Sequence, residues 1–208
     1  MQMIWVEIFQ SILKSIINFL NKNKMKQIKF LSTVLLAGLL LTACSKDNDT
    51  PEQAHEEELI TTLKVTLTPS GGGTAILMEY KDLDGEGSDT PVVSVSNNLA
   101  AGVTYDGVIE VSNETEDPAE DITEEVKEEN LEHQFFYTSG GGLDVTTSYS
   151  DSDDDGNDLG IEFTLTAGAA SSGTLTFTLR HEPTKPNTGL SDAGGETDIA
   201  ATFDVTIE

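Results

Sequence analysis

"LITTLKVTLT", residues 59–68, decides the fold. Leu63, Val65 and Leu67 alternate with Thr62, Lys64 and Thr66, and a period of two puts the two sets on opposite sides of an extended chain. Threonine suits a pleated, half-buried surface, so the stretch reads as an antiparallel strand with one apolar and one solvated face. The same alternation recurs in "IEFTLT" (161–166) through Ile161, Phe163 and Leu165, and in "GTLTFTLRH" (173–181) through Leu175, Phe177 and Leu179. Similar runs occur at "TAILMEY" (74–80), "PVVSVS" (91–96), "VTYDGVIEVS" (103–112), "HQFFYTS" (133–139), "LDVTTSYS" (143–150) and "DIAATFDVTI" (198–207). Gly, Asp and Asn clusters separate most of them, as turns require. About nine short strands at this spacing predict a mainly β domain, a single antiparallel β-sandwich of Ig-like or Greek-key topology.

One segment departs from the period. "DPAEDITEEVKEENLEHQFFY" starts with Asp117 as a helix cap, Pro118 at the first helical position and Glu120 completing a capping box. Ile122 and Val126 face one way, while Glu124, Glu125, Glu128 and Glu129 face others. The expectation is a short acidic helix, either a docking surface or a solvated crossover between sheets.

Upstream of this domain the composition changes. From Met25 the chain has a basic start (Lys26, Lys29), an apolar run from Phe30 to Leu41, then Leu41-Thr42-Ala43-Cys44. That is the order of a secretory signal, and a run of about 12 residues is short of the roughly 20 that span a bilayer. The ending resembles the lipobox of bacterial lipoproteins, which implies cleavage before Cys44 and a covalent lipid on it. Cys44 is the only cysteine, so the fold stands without an intramolecular disulfide. Residues 1–24 precede a signal with its own methionine and read as a mis-set start or leader extension. Residues 25–43 are the signal peptide, residues 44–57 a polar, lipidated flexible tether, and residues 58–208 the β-sandwich.

The full chain carries a formal net charge of -26. From Cys44 onward, six Lys and Arg stand against 36 Asp and Glu, a net of -30. Nucleic acid is excluded as a partner, because binding its phosphates needs Lys and Arg to release counterions. Ser45 after the cysteine points to the outer membrane under the enterobacterial sorting rule, on its periplasmic or cell-surface face. The processing and sorting machinery for lipoproteins is then an obligatory partner.

"NETEDPAEDITEEVKEENLEHQFFY", "TLTFTLRHEP" and "AGGETDI" together resemble a group of small, functionally uncharacterised Bacteroidota lipoproteins of this length, across nearly all of the chain after Cys44. Members of that group often carry the label of a type 1 periplasmic-binding-fold superfamily. That architecture needs two α/β lobes, whereas these residues spell strands in about half the necessary length. The resemblance therefore implies location and no mechanism.

"DSDDDGNDLGIE" (151–162) matches the calcium-loop pattern D-x-D-x-D-G-x5-E. Asp151, Asp153 and Asp155 take the first three ligand positions, Asn157 offers its carbonyl, and Glu162 is the closing carboxylate. The flanks read as strands, so an EF-like loop on a β-hairpin would hold Ca2+ weakly, in the class of about 10⁻⁴ to 10⁻³ M. The alternative is an acidic hairpin turn. Two carboxylates about 7 Å apart in water repel by only about 0.6 kcal/mol, so such a turn survives without an ion. "DLDGEGSD" offers Asp82, Asp84, Glu86 and Asp89 but no closing glutamate.

Catalytic patterns are scarce. His133 and His181 fall in predicted strands and His55 in the tether; alternation sends His181 to the face opposite Arg180 and Glu182. No H-x-x-x-H, G-x-S-x-G or phosphate loop occurs after Cys44. The sequence therefore predicts no enzyme, but a lipid-anchored binding or structural module of the envelope. The alternative is a glycan-binding accessory lipoprotein of a polysaccharide-uptake system, which needs an exposed aromatic platform. The one tryptophan, Trp5, lies before the signal, and Phe135, Phe136 and Tyr137 are adjacent and cannot share a face.

Overall fold

Each of the nine alternating stretches forms a strand. A computed structural model describes residues 59–85 and 87–208. The expectations for residues 1–24, the signal 25–43, Cys44 and the tether 44–57 lie outside the described residues, as does Glu86. The described strands are β1 (Thr62–Pro69), β2 (Ile76–Lys81), β3 (Val92–Val95), β4 (Thr104–Asn113), β5 (Glu120–Asp121), β6 (His133–Gly140), β7 (Val145–Tyr149), β8 (Glu162–Ala167), β9 (Ser171–His181) and β10 (Glu196–Ile207). Two short helices join them, α1 (Ile122–Glu128) and α2 (Leu190–Ala193).

The strands form a seven-stranded sheet in the order β3-β2-β1-β4-β8-β7, with β5 attached to β4, and a three-stranded sheet in the order β10-β9-β6. Every strand pairing is antiparallel. The alternation read from the sequence maps onto burial: Leu63, Val65 and Leu67 of β1 are fully buried, as are Phe177 and Leu179 of β9. Residues of both sheets belong to one apolar cluster. Its centre is a chain of rings, Tyr137 to Phe163 at 4.6 Å, Phe163 to Phe177 at 5.7 Å, and Phe177 to Phe203 at 5.9 Å between centroids, which links the larger sheet to the smaller.

The opposite faces carry hydroxyl pairs across neighbouring strands. Thr104 meets Thr166 at 3.0 Å and Ser148 meets Thr164 at 2.6 Å on the larger sheet. Thr176 and Thr202 meet at 2.8 Å on the smaller. Such cross-strand pairs each contribute on the order of 0.2–1 kcal/mol, which accounts for the threonine content of the solvated faces.

The helix needs a correction. Asp117, Pro118 and Glu120 do not cap it. Glu120 and Asp121 instead extend as β5 and pair with Asn113 and Ser112 of β4, and Asp121 is the cap, its carboxylate accepting from Thr123 N at 3.0 Å. Both residues pair with the end of β4 that extends past β8, and Asp121 serves the first free amides as well as Asp117 would have. Ile122 and Val126 are each 1% exposed, so the thin apolar stripe does face the core. The Thr123 hydroxyl fixes α1 to β4 by accepting from Val111 N and donating to Val111 O.

Gly107 of β4 pairs with Phe163 of β8, and the ring lies over it so closely that an added Cβ would sit 2.4 Å from Phe163 Cζ. The missing side chain is what lets Phe163 reach Tyr137 and Phe177. Gly107→Ala should therefore lower stability by about 2–3 kcal/mol through overpacking, read from the urea midpoint. Gly71→Ala, where a Cβ meets nothing within 4 Å, should leave the midpoint in place.

Candidate functional site

The loop between β7 and β8 is built on two aspartates that act as backbone anchors. Asp151 accepts from Gly160 N at 2.7 Å and from Ile161 N and Glu162 N at 2.9 Å each. Asp153 accepts from Asp155 N at 3.0 Å and Asn157 N at 2.8 Å, and the Asn157 side-chain amide donates to both of its oxygens. Asp155 and Glu162 are exposed. The calcium-loop residues thus share a hairpin without converging: Asp151 turns toward one run of amides, Asp153 toward another, and Glu162 lies on β8.

Positive charge already reaches this loop from elsewhere in the chain. Lys185 Nζ lies 3.0 Å from Asp153 Oδ2, with the two side chains 6% and 0% exposed. The same ammonium donates to Asn130 O at 2.7 Å and His133 O at 2.6 Å, so all three of its protons have acceptors. Burial pushes the Asp153 carboxyl up, but the Lys185 ammonium and the Asn157 hydrogen bonds outweigh it and hold the pKa below the ordinary carboxylate value. Asn187 Nδ2 donates to Gln134 Oε1 at 2.7 Å, so the chain after β9 is laid against β6. Gln134, Gly156, Asn157, Asp158, Pro186 and Asn187 line an open polar cleft there.

Beside the Lys185–Asp153 pair, three side chains able to ligate a metal meet at the end of the smaller sheet. His133 opens β6 and stands directly opposite His181, which closes β9; their rings are edge-on, 4.8 Å apart at 78°. Asp198 sits where the β9–β10 register shifts between Thr197 and Ile199, and its Oδ2 lies 3.9 Å from His133 Nε2. Burial holds the His133 imidazole below the ordinary histidine pKa, an effect the Glu129 carbonyl opposes and His181 reinforces. Among the described residues, the sets of three His, Asp or Glu ligand atoms lying within 4.8 Å of one another are His133–His181–Asp198 and Glu132–His181–Glu182. No carboxylate of the 151–162 loop belongs to either set. Sequence reasoning placed both histidines on strands but not beside each other, and it passed over Asp198. The available signal was "GGETDI", an aspartate entering a strand just after two glycines.

The second acidic stretch is a turn in which Asp84 Oδ2 accepts from Asp89 N at 3.0 Å. The described cations are all engaged: Lys64 and Lys81 by Glu114, Lys127 by Glu124, Arg180 by Gly195 O and Lys185 by Asp153. Every described Phe and Tyr is buried or half-buried. Compared with protein-family models, curated proteins and solved structures, the chain matches none.

Lys185→Met should remove about 3 kcal/mol, because it leaves the Asp153 charge buried without its cation, as read by chemical denaturation at pH 7. The pH dependence follows from the lowered Asp153 pKa. Its contribution is full above the unfolded carboxylate value of about 3.9 and is lost as pH falls from there through the folded value. The wild-type midpoint should therefore fall more steeply below about pH 4 than that of the Lys185→Met variant.

Proposed function

We propose that this chain is a non-catalytic, lipid-anchored lipoprotein of the outer membrane. Its antiparallel β domain, arranged as a β-sandwich, serves as a binding or structural module of the envelope. The observation that carries the proposal is the run from Met25 to Cys44: basic start, short apolar stretch, small residues and a lone cysteine. A diacylglyceryl group with an N-acyl chain on Cys44 anchors durably, where one acyl chain alone binds marginally.

The domain supports a role in contact rather than turnover. The polar side chains of the cleft beside β6 are Gln134, Asn157, Asp158 and Asn187, which supply neither a nucleophile with its base nor an oxyanion site. The net negative charge and the engaged cations favour cationic or neutral partners over polyanions. The glycan-binding alternative calls for exposed rings, and the described residues offer none in that state. In cells, Cys44→Ala should abolish incorporation of labelled fatty acid and leave an uncleaved precursor. Incorporation that persists in the variant, or that never occurs in the wild type, would overturn the anchor.

Calcium has a separate test. Lys185 already sits on Asp153 and backbone amides already occupy Asp151, so the loop has its counter-charge from within the chain. Millimolar Ca2+ followed by chelator should leave the thermal midpoint unmoved. A reproducible rise with Ca2+, lost in Asp155→Asn, would restore the 151–162 loop as an ion site.

A further inference from the structure

We propose that His133, His181 and Asp198 form a binding site for one first-row divalent metal ion, zinc foremost, at the end of the smaller sheet. Three observations bear on it independently. The first is chemical: two imidazoles and one carboxylate are a nitrogen and oxygen set of borderline softness, suited to Zn2+ and its neighbours rather than to Ca2+, which takes oxygens alone.

The second is the orientation of His133. Its Nδ1 lies 3.1 Å from the Glu129 carbonyl. A carbonyl only accepts, so Nδ1 carries a proton and the neutral ring presents its lone pair at Nε2. Metal-binding histidines are held in this way, by a second ring nitrogen donating to a carbonyl or carboxylate. That Nε2 faces Asp198 Oδ2 across 3.9 Å, too long for a direct hydrogen bond and close to the spacing of two ligands that share an ion. With bonds of about 2.0–2.1 Å, the edge of a zinc tetrahedron is about 3.4 Å. Since the three ligand atoms lie within 4.8 Å of one another, closing onto an ion takes side-chain movement on the order of 1 Å.

The third is the platform. The ligands come from three adjacent strands, with His133 and His181 in direct register and Asp198 at the irregularity in β10. Irregular strand positions of this kind re-aim side chains, and strands hold a site more firmly than loops do. The His133 and Asp198 side chains are 3% and 5% exposed, which keeps competing water out. His181 also belongs to a separate set with Glu132 and the exposed Glu182, whose carboxylates give an incoming ion a route from solvent. Lys185 lies on the carbonyl side of His133, its charge matched by Asp153.

The test is a titration of the purified full chain with Zn2+. The expected result is binding of one ion per chain, a raised thermal midpoint, and, with Co2+ in its place, the visible absorption of a four-coordinate nitrogen and oxygen site. His181→Ala and Asp198→Asn should each weaken binding at least about tenfold, since even partners behind the ligands change affinity by that much. Asp151→Asn should leave it unchanged. No stoichiometric binding, or binding untouched by both substitutions, would overturn the proposal and assign any uptake to surface carboxylates. X-ray absorption on the zinc-loaded wild type decides without any variant: two imidazoles in the shell support the site, and an all-oxygen shell overturns it.

Discussion

Phe177 touches three other rings, those of Tyr137, Phe163 and Phe203, and the two sheets meet through that contact. A chain with one cysteine has no internal disulfide to hold it, so the transfer of apolar surface from water must supply the main driving force. Aromatic pairs add about 0.5–1.5 kcal/mol each beyond the area they bury. The geometry demands concessions from other residues. Gly107 gives up its side chain so that the Phe163 ring can approach β4 closely. Gly160, at φ +91°, stands where a Cβ would meet the Tyr137 hydroxyl and the Tyr149 ring. The Tyr137 hydroxyl then donates to Gly160 O at 2.6 Å and the Tyr149 hydroxyl to Phe135 O at 2.9 Å. Burial raises both phenol pKa values, that of Tyr149 to about 12, which keeps these donors protonated at any physiological pH.

Polar groups then define how the ends of the sheets are closed. Asp121, Asp151 and Asp153 each take up backbone amides at a chain reversal, which is the chemistry that makes aspartate favoured at caps and turns. Part of the acidity of this domain is therefore structural. Other carboxylates, among them Asp155 and Glu162, are exposed and set the field seen by a partner.

The strands were legible because period-two alternation reports burial directly, as Leu63, Val65 and Leu67 illustrate. The helix was legible as an element and misplaced at its start, since three acids within five residues, Asp117, Glu120 and Asp121, are each able to cap. The competition was settled by β4, whose end beyond β8 paired Glu120 and Asp121. The 151–162 spacing was legible as a ligand pattern, but spacing does not say whether a carboxylate turns toward an ion or toward an amide. That depends on Lys185, which comes 32 positions after Asp153 in sequence. The same holds for His133, His181 and Asp198, since only the strand register brings them together. The two histidines are 48 residues apart in number and opposite in space.

Lys185 has a consequence that reaches past the loop it closes. A dissolved cation occupies a site only as its abundance in the surrounding fluid allows, and it leaves on dilution. An ammonium fixed to the same chain has an effective concentration set by the intervening segment, on the order of millimolar or more for short tethers, and dilution does not change it. The hairpin is in that sense self-supplied: the counter-charge on Asp153 belongs to the chain and stays with it on dilution.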